Sequence, residues 1–166
     1  MSTSHKVWKL GADIDTDQLA PGAYMKLGLA DIAQHCLEGV RPEFASQVRA
    51  GDVIAAGPNF GIGSSREQAA GALVQLGVQA VIAPSYSGLY FRNAFNLGLL
   101  LLTCPQAEQL EEGEGIVLDL AGRAVLRANG QRLACDPIPD FLLDMVRAGG
   151  LLPQLKKRLQ VSKEAA

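Results

Sequence analysis

Three short apolar runs, Val53 to Ala56, Val78 to Ala83 and Leu99 to Thr103, constrain this chain more than any other feature, because a helical pattern stands between each pair. The first gap ends in Ala69, Ala70, Ala72, Leu73, Val74 and Leu76, which together can bury one face of a helix stopped by Gly77. The second holds Tyr86 to Asn96, with Gly98 leading into the last run. Val78 to Ala83 is apolar apart from Gln79 and suits a strand covered on both faces. The order strand, helix, strand, helix, strand implies right-handed crossovers and a parallel sheet, whose ligands gather where strands end and helices begin. Upstream, Lys6 to Leu10 reads as a strand with Val7 and Leu10 available to the core. Leu29 to Leu37 and Pro42 to Val48 read as short helices.

After Pro105, a short acidic helix at Ala107 to Glu112 precedes strands at Ile116 to Leu120 and Arg123 to Ala128. Asn129-Gly130 is a type I′ hairpin signal, so Gln131 to Cys135 should pair back antiparallel. Closing helices follow at Pro139 to Ala148 and Leu152 to Leu159, divided by Gly149-Gly150. With 166 residues, 48% of them hydrophobic, the chain can bury one sizeable core. The expectation is one α/β domain over residues 1–166, with a mostly parallel central sheet and an antiparallel C-terminal hairpin.

Composition removes several classes of function. A net charge of −2 supplies no electrostatic reason to bind nucleic acid or an anionic membrane, and Lys156, Lys157 and Arg158 read as a solvated helix face. Cys36, Cys104 and Cys135 are odd in number and widely spaced, which suits neither a disulfide framework nor a metal ligand set. They read as reduced, mostly buried thiols of a cytoplasmic protein. His5 and His35 are too few and too scattered to hold a metal, so any metal in this system must come from elsewhere. The N-terminus has no long apolar core, and Leu99 to Leu102 falls far short of the roughly 20 residues a membrane span needs.

The chemistry concentrates in Asn59 to Gln68, reading NFGIGSSREQ. Gly61 and Gly63 allow a bend that residues with a Cβ avoid, and Ser64 and Glu67 have the spacing of a capping box. That places Ser64 at a helix N-cap, where unpaired N–H groups and the helix dipole attract anions, and Arg66 adds a fork matched to a carboxylate. Two readings stay open: a carboxylate or phosphate receptor, or a plain helix cap with Arg66 in solvent. A P-loop does not fit, since no Lys follows the glycines, and the third glycine of the dinucleotide fingerprint is missing. Asp13, Asp15 and Asp17 alternate with Ile14 and Thr16, so an extended segment would put the three carboxylates on one face, relieved by water, backbone donors or a cation; a plain polar loop is the alternative. The stretch Tyr24, Met25, Lys26, Leu27, Gly28 reads as a loop exposing large side chains, which need a partner or a ligand.

The run GPNFGIGSSREQAA, from Gly57 to Ala70, resembles the small swivelling β/β/α domain of the aconitase superfamily, and specifically the separate small subunits of isopropylmalate and homoaconitate dehydratases. DIDTDQLAPGAYM, from Asp13, resembles that family's acidic segment and following loop. VIAPSYSGLYFRNAFNLGL, from Val81, resembles its second run, and AGGLLPQLKKR its ending. The resemblance implies a hydro-lyase that isomerises a hydroxy diacid by removing and re-adding water, active only with a large subunit that carries a [4Fe-4S] cluster. It implies that Ser64 is the proton-abstracting base, that Ser65 and Arg66 hold substrate, and that Asp15 and Asp17 belong to the surrounding network. The loop residues Tyr24, Lys26 and Leu27 would read the part of the substrate that varies.

Two departures bear on specificity. Relatives commonly read Y-L-R where this chain has Tyr24-Met25-Lys26, and S-F-A-R where it has Ser85-Tyr86-Ser87-Gly88. Lysine lacks the planar fork for a distal carboxylate, and Leu27 favours an apolar branch. The expected substrate is therefore 3-isopropylmalate, in leucine biosynthesis. Dimethylmalate, methylmalate or citraconate, homoaconitate, and a non-catalytic anion-binding role are the alternatives.

Overall fold

The computed structural model describes residues 2–165. Seven strands form one sheet: β1 (His5–Lys9), β2 (Val53–Ala55), β3 (Ala80–Ala83), β4 (Leu100–Thr103), β5 (Gly115–Asp119), β6 (Ala124–Arg127) and β7 (Arg132–Ala134), in the order β4-β3-β2-β1-β5-β6-β7. Strands β1 to β4 are parallel, with Val7 opposite Val53, Val53 opposite Ala80, and Ala80 opposite Leu100. On its other edge β1 meets β5 antiparallel, and β5, β6 and β7 continue antiparallel. Three of the six pairings are parallel and three antiparallel, and this parallel core with its C-terminal antiparallel strands agrees with the architecture expected from the apolar runs.

Helices α1 (Thr16–Leu19), α2 (Leu29–Ala33) and α3 (Phe44–Gln47) lie between β1 and β2. Helix α4 (Gln68–Gln75) joins β2 to β3, and α5 (Gly88–Asn96) joins β3 to β4. Helices α6 (Asp140–Ala148) and α7 (Leu151–Ala165) close the chain. The parallel strands β2 and β3 are buried at every residue, as an unalternating apolar run requires. Between β1 and α3, Trp8 meets Phe44 edge to face at 5.2 Å, and its indole N–H donates to the buried Asp52 carboxylate at 2.9 Å. Helix α4 packs Ala69, Ala70, Ala72 and Leu73 inward, and Tyr90 and Phe95 of α5 are buried beside them.

Several elements are shorter than their patterns suggest. The helix expected over Leu29 to Leu37 stops at Ala33 and runs on in turns, with Leu37 in a left-handed conformation at φ 62°. The acidic helix after Pro105 is one 3-10 turn, Ala107–Gln109. At the hairpin only Gly130 has positive φ, whereas a type I′ turn would require it of Asn129 as well. The Asn129 side chain accepts from the Gln131 N–H at 2.8 Å, and Arg127 and Gln131 are joined by a backbone bond of 2.9 Å. This is the three-residue loop with a left-handed glycine, which still returns the chain antiparallel.

Candidate active site

Beyond the carboxyl ends of β1, β2 and β3 the chain keeps the order of the sheet. Residues 58–64, after β2, run between the segment after β1 and the segment after β3. The Asp13 N–H donates to Pro58 O at 2.9 Å, Gly61 N–H to Ile14 O at 2.7 Å, and Thr16 N–H to Ile62 O at 2.8 Å. On the other side, Phe60 N–H donates to Ser85 O at 3.1 Å and Ser87 N–H to Phe60 O at 2.9 Å. Asn59, itself left-handed at φ 64°, ties both neighbours together. Its backbone N–H donates to Ser85 Oγ at 2.9 Å and its side chain to Asp13 at 3.0 Å.

The two glycines fulfil the reading of the bend. Gly61 sits at φ 82°, and a Cβ there would lie 2.2 Å from Cγ of Tyr90. Gly63 sits at φ 111°, and a Cβ there would lie 2.8 Å from Oγ1 of Thr16. Both positions thus combine a backbone conformation that L side chains rarely adopt with a close approach of another group.

Ser64 is not a helix cap. Helix α4 starts at Gln68, four residues later than Ser64, and Glu67 precedes it without a side-chain cap. The Ser64 N–H instead donates to Thr16 Oγ1 at 3.1 Å, and the two hydroxyl oxygens are 3.3 Å apart. The capping box of this region belongs to Asp15 and Gln18: Asp15 accepts from the Gln18 N–H at 2.7 Å, and the Gln18 side chain accepts from the Asp15 N–H at 2.9 Å. Ser64 and Ser65 are exposed at the mouth of the bend. The Ser65 carbonyl accepts from Asn93 of α5 at 3.1 Å.

The three aspartates do not share a face. Asp13 is left-handed at φ 58°, Asp15 caps α1, and Asp17 lies within α1. Each has its own donor: Asn59 for Asp13, Gln18 for Asp15, and for Asp17 both Gly22 N–H at 2.9 Å and Arg66 Nη1 at 3.1 Å. The Gly22 N–H, and after it the Arg66 guanidinium, holds the Asp17 carboxyl below its usual value. Arg66 Nη1 also donates to Ala20 O at 2.7 Å. Among the described residues its Nε and Nη2 have no protein acceptor, so one edge of the fork stays available for a ligand. The expected exposure of the loop after α1 is only partly met. Gly22–Tyr24 forms a 3-10 turn, Tyr24 stacks on His35 with ring centroids 3.6 Å apart, and Met25 packs against the core. Glu38 beside the Tyr24 hydroxyl raises its pKa. Lys26 and Leu27 are exposed, and Leu27 joins Leu29, Ile32, Glu67, Gln68, Gly71 and Leu97 around a cavity of about 290 Å³.

Thr16, Asn59 and Asn93 escaped the sequence reading. The Asp-x-x-Gln spacing of Asp15 and Gln18 was a usable signal for the cap that places Thr16 in the first turn of α1. Nothing local points to the two asparagines, whose partners lie 46 and 28 residues away. Among the described residues no group of three or more His, Cys, Asp or Glu is placed to hold a metal ion, and Cys36 and Cys104 are fully buried. The donors present do not fit an iron–sulfur cluster. No helix among the described residues is long and apolar enough to cross a membrane.

A glycine-bent loop that presents two serines and an arginine at the carboxyl edge of a parallel sheet, with an antiparallel extension behind, defines an α/β domain with a carboxylate-binding loop edge. Residues 41–107 match the family described as the aconitase C-terminal domain. The 3-isopropylmalate dehydratase small subunit 1 of Archaeoglobus fulgidus is 42% identical over 149 residues, covering 89% of this chain and 92% of that protein. The corresponding small subunit of Thermodesulfovibrio yellowstonii is 40% identical over 164 residues, covering 97% and 98%. A crystal structure of 3-isopropylmalate dehydratase from Methanocaldococcus jannaschii matches with a TM-score of 0.93 at 34% identity, covering 100% of both chains. The chain belongs to the 3-isopropylmalate dehydratase small-subunit family, a hydro-lyase branch of the aconitase superfamily.

Proposed function

We propose that this chain binds and deprotonates a branched malate, 3-isopropylmalate foremost, as the small subunit of a hydro-lyase that removes water and adds it back in the other orientation. The observation that carries the reading is the presentation of Ser64, Ser65 and Arg66 side by side on a loop pinned to both neighbouring segments. Arg66 receives a substrate carboxylate through Nε and Nη2, while Asp17 and the Ala20 carbonyl hold Nη1 and fix the direction of the fork. Ser65 donates a hydrogen bond to the same substrate. Ser64, as its alkoxide, takes the C–H proton at Oγ and becomes a neutral hydroxyl, and on rehydration it returns that proton. The cavity beside Leu27, opening next to the start of α4 two residues beyond Arg66, suits a hydrocarbon branch better than a second carboxylate. Lys26 stands exposed on the same loop and can meet a distal charge only as a mobile point charge.

The family's [4Fe-4S] cluster belongs, in this reading, to a large partner subunit, where it supplies a Lewis acid for the departing hydroxyl. The soluble pair works in the cytoplasm. The test is Ser64→Ala assayed with the large subunit against isopropylmalate, homoaconitate, dimethylmalate and methylmalate. Loss of turnover by about 100-fold or more, with assembly intact, is expected for removal of the proton-abstracting group. Near-wild-type kcat in the assembled variant would move the base elsewhere, and a wild-type preference for homoaconitate would overturn the substrate.

A further inference from the structure

Thr16 is buried at 3% exposure, yet its hydroxyl faces the exposed Ser64 across 48 residues of sequence. A threonine hydroxyl has one proton and two acceptor sites. One acceptor site is taken by the Ser64 N–H at 3.1 Å, and the remaining polar contact of Oγ1 is Ser64 Oγ at 3.3 Å. The backbone leaves this hydroxyl little freedom. Thr16 N–H donates to Ile62 O at 2.8 Å, Thr16 O accepts from Ala20 N–H at 2.9 Å, and Gly63 passes so close to Oγ1 that a Cβ would sit 2.8 Å away.

We infer that Thr16 is a positioning residue for Ser64: its buried hydroxyl, anchored as an acceptor by the Ser64 N–H, aims its only proton at the Ser64 oxygen and favours that oxygen as an anion. This rests on the reading of Ser64 as the base. While Ser64 is neutral, either hydroxyl can donate to the other. Once Ser64 Oγ has lost its proton, only Thr16 can donate, and the contact becomes a charge-assisted bond that strengthens as the charge forms. A hydrogen bond made to the charged form lowers the pKa of the group that carries the charge. The same contact fixes the rotamer of Ser64 relative to the neighbouring Arg66, so orientation and acidity have one source.

The experiment compares Thr16→Val, which keeps the shape and removes the hydroxyl, with Thr16→Ser, which keeps the hydroxyl, both reconstituted with the large subunit beside Ser64→Ala. Removing the donor raises the pKa of Ser64 and lowers the fraction of it that is anionic at a given pH; a hydrogen bond to a charged group is worth about 1.5–3 kcal/mol, so Thr16→Val should lose about 10- to 100-fold in kcat while KM changes little. The acidic limb of its kcat profile should move to higher pH, and Thr16→Ser should recover most of the rate and the wild-type limb. A purely structural role for Thr16 would lower stability without moving that limb. If Thr16→Val does not assemble, Thr16→Ala takes its place with the same expectation. Wild-type kcat and an unmoved limb in the hydroxyl-free variant, or a Thr16→Ser enzyme as impaired as Thr16→Val, overturns the inference. Should Ser64→Ala itself retain turnover, it is the reading of Ser64 that fails; an inactive Ser64→Ala beside a fully active Thr16→Val refutes the role of Thr16 alone.

Discussion

Gly61→Ala should be the most costly single-methyl change in the site loop, and its cost can be assembled from the structure. At φ 82°, exchanging glycine for an L residue costs about 1–2 kcal/mol of backbone strain. The new methyl would also start 2.2 Å from Cγ and 2.4 Å from Cβ of Tyr90, far inside contact distance. Tyr90 has nowhere to retreat, since it is 1% exposed, packs edge to face on Phe60 at 5.4 Å and donates its hydroxyl to Ala69 O at 3.2 Å. Overpacking of that kind adds about 1–3 kcal/mol, so the total is about 2–5 kcal/mol. With a urea slope of about 2 kcal/mol per molar, the midpoint should fall by about 1–2.5 M. Trp8, the only tryptophan and buried, reports unfolding of the isolated subunit by fluorescence. Gly11→Ala is the control, because a Cβ there meets nothing within 4 Å and φ is not positive, and it should change stability by less than about 0.5 kcal/mol. A Gly61→Ala midpoint equal to that of Gly11→Ala would refute the packing argument.

Two further outcomes follow from the charged groups. Asp17 has its pKa lowered in the folded state, so its contribution is present above its usual value of 3.8 and is lost as pH falls through the lower folded value. Because the Asp17 side chain is 70% exposed, the gain is screened and stays below about 1 kcal/mol. Urea midpoints of wild type and Asp17→Asn should differ slightly at pH 5 to 7 and converge in acid, whereas a gap that widens toward acid would contradict the assignment. Lys26→Arg, assayed with the large subunit, should raise kcat/KM for homoaconitate relative to isopropylmalate by about threefold to tenfold, since a bidentate fork replaces a point charge. An unchanged ratio would make the loop a lid or an interface contact.

Much of this protein is written in short-range pattern. The three apolar runs and the helical stretches between them dictate the parallel strands, because residues with no polar alternation must be covered on both faces. Asn129-Gly130 dictates antiparallel return even though the turn it makes is of another type, since a left-handed glycine suffices to reverse the chain. The pair of glycines in NFGIGSSREQ announces a bend that no other residue could take, and Ser64, Ser65 and Arg66 follow it in register.

What surrounds Ser64 was decided only in three dimensions. Its S-x-x-E spacing offers a local cap worth about 1 kcal/mol. The fold instead lays residues 58–64 between two neighbouring segments, where several backbone bonds compete with that one cap. The helix then begins only at Gln68, and the Ser64 N–H turns to Thr16. The same pairing bends the acidic segment into a left-handed residue, a cap and a helical turn, so Asp13, Asp15 and Asp17 find three separate donors rather than one shared face. Local spacing sets what a few residues prefer. Contacts between residues 28 to 48 positions apart set which preference survives, because the Ser64 N–H that would have closed the local pattern is already bonded to Thr16.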